Sequence, residues 1–283
     1  KQAGCVGVSN VMHPLANNLV LRRAMEYASG QGLTLHYQAM DPALQANGCI
    51  NEGLAATRMG LIGIPNAGET AAVGVCLALI EHTGARVHFA RLSTQRAVQM
   101  LELAHSEGLN ISADVAAHQL FLCDDDIPAF DPNFHLLPPL RSADDLAGLR
   151  QAISNPIFNA ICSDHQPHGA DAKLAPFAST KIGASALETL LPLVLRLVEE
   201  DLLSLQQAIA LVTYKPAQML NIDAGSLTPG ATADLCLFDP KQEWTLQASD
   251  MHSRGKHSPF LGQRFKGKVK HTFVSGKLAY SES

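Results

Sequence analysis

The 283-residue sequence lacks the marks of several large protein classes. None of its six cysteines (Cys5, Cys49, Cys76, Cys123, Cys162, Cys236) stands in a CxxC pair. Scattered thiols in a chain this long predict free cysteines in a reducing cytosol, each a small core residue rather than a ligand. No apolar run approaches the roughly 20 residues that span a bilayer. "VGVCLALIEH" stops early, and "LETLLPLVLRLVEEDLL" is broken by charge and proline. A signal-peptide pattern is missing, as are repeats and low-complexity linkers. Positive charge is not in excess: the formal net charge is -5, and no Lys/Arg cluster offers a nucleic-acid footprint. These absences predict a cytoplasmic protein that engages neither nucleic acid nor membrane. The chain opens "KQAGCVGVSN", without methionine and already close to a strand-like run, so it is expected to start in mid-fold.

What is present is 47% apolar content, enough for a large core, in one big α/β domain or two smaller ones. Strand-like runs at 4–9, 33–38, 85–92, 109–116 and 157–164 alternate with helical spacing at 18–32, 93–108, 143–155 and 185–220. Residues 50–84 read as a loop followed by a long apolar helix. This alternation implies parallel βαβ units. A closed barrel of such units needs eight strands. Five are legible, so about three would precede residue 1. From about residue 223 the pattern changes. "GSLTPGATADLCLFDP" and "FKGKVKHTFVSGKLAY" alternate apolar and polar residues around turns. The expected organisation is a barrel portion over 1–222 and a small β module over 223–283.

In a parallel barrel, chemistry sits at the C-terminal ends of strands. The exits carry Asn10 and Val11, then Gln38, Arg91 and Asp164. Zinc would need three or four converging His, Cys, Asp or Glu, and of these exits only Asp164 qualifies. Strand alternation puts His36 on the face of Gln38, but deeper, and turns His88 away from Arg91. Both histidines read as structural. Arg91 has no lone pair and stays charged. It would repel a divalent cation, and either pairs with Asp164 in a metal's space or snorkels out to solvent. In "NAICSDHQPHGADAK", His165 and His168 form a lone HxxH on a loop, a weak signal for substrate contact or acid–base work.

Many segments resemble the dihydroorotase branch of the amidohydrolase superfamily. "ICSDHQPHGADAKLAPFASTKIGASALETLLPL" resembles its eighth-strand region. "INEGLAATRMGLIGIPNAGE", "VHFARLST", "LLPPLRSADDLAGL", "PAQMLNI", "GSLTPGATADLCLFDP" and "HSPFLGQRFKGKVKHTFVSGK" follow in family positions. The resemblance implies a (β/α)8 TIM barrel of the amidohydrolase type, here strands four to eight, plus part of a small β-sandwich. The strand bearing the family's H-x-H-x-R motif would lie before residue 1. At the active site the sequence departs from the family. Asn10 and Val11 stand where a carboxylate or modified lysine is expected. Gln38 and Arg91 replace metal-binding histidines, and Met40 replaces a glutamate. Leu137 replaces a substrate-holding asparagine. In "VAAHQ", His118 is kept and Gln119 is changed. Asp164 and His168 match the family's general base and substrate contact, as vestiges.

Zinc is therefore expected to be absent and dihydroorotase turnover lost. The resemblance is nearest to the non-catalytic dihydroorotase-like subunit of some bacterial aspartate carbamoyltransferases. It implies a pseudoenzyme that binds the catalytic carbamoyltransferase chain, with self-association, and supports pyrimidine biosynthesis. Two other readings stay open: an active metal-dependent cyclic-amide hydrolase with unusual ligands, and new metal-free chemistry in the old barrel mouth.

Overall fold

A computed structural model describes residues 1–282. Its centre is a five-stranded parallel sheet built from β1 (Gly7–Ser9), β2 (Thr34–Tyr37), β5 (Val87–Phe89), β6 (Ile111–Ala116) and β7 (Phe158–Cys162), in the order β1-β2-β5-β6-β7. Sequential order with helical crossovers is the arrangement of a (β/α) barrel segment. All five strands fall inside the segments that apolar patterning predicts. One pairing was not legible: β3 (Ile50–Asn51) and β4 (Gly63–Ile64) form a short parallel bridge within the stretch read as loop. Two residues per strand are too few to show a period.

The crossover helices start and stop on local signals. Asn17 Oδ1 accepts from Leu19 N and Val20 N at the start of α1 (Asn18–Gly30). Thr94 accepts from Ala97 N and opens α5 (Gln95–Ser106), inside the 93–108 stretch of helical spacing. Ser142 does the same for α6 (Ala143–Ala152). The long apolar helix α4 (Ala67–Thr83) ends at Gly84, whose φ of +65° favours a residue without Cβ. Before it lie α2 (Pro42–Gln45) and α3 (Leu54–Met59); after β7 come α7 (Leu187–Glu199), α8 (Leu205–Ala210) and α9 (Tyr214–Leu220).

The tail forms an antiparallel sheet of β8 (Leu235–Thr245), β9 (Arg264–Val274) and β10 (Lys277–Ser281). Its Leu246, Phe260 and Phe265 join the same apolar core as Leu193 and Leu197 of α7. At Gly267 of β9 the approach is tight: an added Cβ would collide with Leu195 of α7.

Three family-like segments meet in one buried polar network. Glu69 of α4, 1% exposed, accepts from the backbone N–H and hydroxyl of both Ser93 and Thr94. Arg141 Nε donates to Ser93 Oγ, while its Nη1 donates to Asn51 Oδ1 and Ile64 O. Buried charges persist only when hydrogen-bonded in this way.

Candidate functional site: the barrel mouth

The mouth is organised around Arg91, just past β5 and 5% exposed. Its Nη1 donates to Asp164 Oδ1 at 2.6 Å, and its Nη2 donates to Gln38 Oε1 at 2.6 Å. Between the two readings of Arg91, the structure takes the ion pair: neither side chain is more than 7% exposed. Both partners have left-handed backbones, φ +58° at Arg91 and +49° at Asp164. Such residues cost of order 1–3 kcal/mol each and persist where their surroundings hold them. Two strand exits bend so that one guanidinium can reach one carboxylate.

That bend corrects one expectation. Strand alternation put His88 on the side away from Arg91. In fact His36 and His88 pair across β2 and β5, their ring centroids 5.2 Å apart, and Asp114, a mouth-lining residue, bonds both His88 and Arg91. The left-handed turn at Arg91 breaks the two-residue period. His88 Nε2 meets Asp114 Oδ2 at 2.8 Å, and its Nδ1 meets Ser112 Oγ at 2.8 Å. Asp114 Oδ1 also accepts Arg91 N at 2.8 Å. Asp114 is held below the usual carboxylate range: burial opposes ionisation, but the bonds from His88 and the Arg91 backbone overcome it. Burial, with His88 beside it, pushes His36 down. His36 leans over β1, where a Cβ on Gly7 would come within 2.7 Å of the ring.

Asn10 clamps rather than coordinates. Its Oδ1 accepts Gln38 N at 2.8 Å and its Nδ2 donates to Gln38 O at 3.3 Å. Val11 presents only an apolar side chain to the adjoining cavity. Gln38 Oε1 accepts from Met12 N as well as from Arg91, which fixes its amide orientation. Asp164 Oδ1 takes a second bond, from Gln166 Nε2 at 2.9 Å. His118 lies beside the pair, fully buried and depressed by that burial.

The HxxH motif does not converge. His165 Nδ1 accepts Ala186 N and Leu187 N and so caps the start of α7. His168 Nε2 donates to Ile182 O at 2.7 Å. The apolar replacements do converge. Leu137 and Met40, 5% and 2% exposed, pack with Ile64 into one small cluster, joined by Met12 and Ile182. Gln119 Nε2 donates to Pro138 O and Pro139 O, holding the Leu137 loop down.

A divalent metal does not fit this donor set. It offers two mouth carboxylates, Asp164 spent on the Arg91 guanidinium and Asp114 on His88 and the Arg91 backbone, with an asparagine and a glutamine bonded elsewhere. Among the described residues, the group of potential ligands within mutual reach is Cys123, Asp124 and Asp125. There Asp124 Oδ2 already accepts Asn51 Nδ2 at 2.7 Å.

Asp114, Gln166 and Met12 were missed in the sequence. Asp114 had a signal, a charge inside the apolar strand "ISADVA", which demands a buried partner. Gln166 and Met12 sit on loops, where no period exists to read.

The amidohydrolase family model matches residues 63–279. A dihydroorotase-like protein of Pseudomonas aeruginosa is 42% identical over 280 residues, covering 99% of this chain and 66% of that protein. A dihydroorotase of Geobacter sp. (strain M21) is 40% identical with the same coverage. The chain thus spans 66% of the length of these curated relatives. Among solved structures, the L-hydantoinase (dihydropyrimidinase) of Arthrobacter aurescens superposes with a TM-score of 0.88 at 25% identity. The match covers all of this chain and 66% of that one. A D-hydantoinase shares the fold at a TM-score of 0.82, over 94% of this chain and 61% of that one.

Proposed function

The chain belongs to the amidohydrolase family, and we propose that it is a non-catalytic, zinc-free, dihydroorotase-like member that structurally supports aspartate carbamoyltransferase in pyrimidine biosynthesis. The observation that carries the non-catalytic half is the Arg91 guanidinium seated between Gln38 and Asp164. A divalent ion about 4 Å from that charge meets a repulsion of about 8 kcal/mol at an effective dielectric of about 20. Family catalysis uses metal to acidify the attacking water. Without it, Asp164 has no activated water to deprotonate, and here it is engaged by Arg91 and Gln166. The apolar Met40–Leu137 cluster, in place of a glutamate and an asparagine, points the same way.

The partner half rests on the resemblance of the chain's segments to the non-catalytic subunit, together with the dihydroorotase-like relative. The proposed partner is the carbamoyltransferase catalytic chain in a mixed complex, with self-association of this chain.

One experiment separates the readings. Full-length protein purified without chelator is assayed for zinc and for hydrolysis of dihydroorotate. Affinity capture from its own cell extract then follows. The proposal expects negligible zinc, no turnover, and the carbamoyltransferase chain in the captured complex. Near-stoichiometric zinc with turnover would establish the active cyclic-amide hydrolase instead. Relatives named dihydroorotase and the presence of Asp164 and His168 favour that second reading.

A further inference from the structure

We draw no further inference here: the strongest candidate, the cavity of about 630 Å³ between α7 and the tail sheet that Leu187, Leu191, Trp244 and Tyr280 wall, is an unpartnered apolar face, and nothing in the structure shows what covers it.

Discussion

Replacing Arg91 by methionine tests the central structural claim. The substitution keeps much of the side-chain volume but deletes the guanidinium. Asp164, whose side chain is 7% exposed, is left without its cation, and Gln38 Oε1 loses one of two donors. Removing one member of a buried pair costs about 3–5 kcal/mol, because the other charge stays desolvated and uncompensated. Replacing both members by apolar residues often costs nothing, or stabilises by about 1–4 kcal/mol. Arg91→Met should therefore destabilise strongly, and Arg91→Met combined with Asp164→Leu should recover most of the loss. The assay is urea unfolding at pH 7 for wild type, both single variants and the double variant, closed as a cycle. In a thermal scan the single variant should melt on the order of 10 °C lower. If Arg91→Met unfolds within about 0.5 kcal/mol of wild type, the guanidinium behaves as a solvated surface group. The argument from its buried charge then fails.

Four further outcomes follow from the same contacts. Glu69→Ala strands the backbone donors of Ser93 and Thr94 and should lower stability by at least about 3 kcal/mol in urea unfolding. Met40→Glu puts a carboxylate into the Leu137–Ile64 cluster. It should lower the melting temperature without producing dihydroorotate hydrolysis in the standard assay. His135 is pushed down to about 4, first by burial and then by the nearby Lys173 charge. Its folded value lies below the unfolded 6.5, so the unfolded chain takes up the proton first. Its contribution is present above about pH 6.5 and lost as pH falls toward 4; His135→Gln should flatten that stretch of the stability–pH curve. Finally, Trp244 is the single tryptophan and lies in β8, whose sheet shares a core with α7. Its fluorescence and far-UV circular dichroism should report coincident unfolding; separated transitions would show that the tail module melts alone.

Much of the frame was legible beforehand. All five sheet strands lie within the expected segments, and the helical spacing at 18–32 and 93–108 holds α1 and α5. The reason is local: apolar period and capping chemistry act over a few residues. Legibility failed where a side chain's direction depends on a non-repeating backbone. His88 was placed facing away because the count from Arg91 assumed an unbroken strand, and a φ of +58° breaks it. His165 and His168, three apart, go to the N-terminus of α7 and to the Ile182 carbonyl. Sequence spacing on a loop carries no information about either destination.

The sequence alone determined which side chains stand at the strand exits: Asn10, Gln38, Arg91 and Asp164, where zinc would ask for imidazole and carboxylate. It therefore determined the mouth's donor chemistry, since no folding can give a guanidinium a lone pair. Only the tertiary structure decided what those groups do to one another. It brought Met40 and Leu137, 97 positions apart in the numbering, into one apolar cluster. It also joined Asp114 to both His88 and the Arg91 backbone. Such contacts are chosen by competition for burial and hydrogen bonds among distant segments, and a chain read a few residues at a time does not contain that competition.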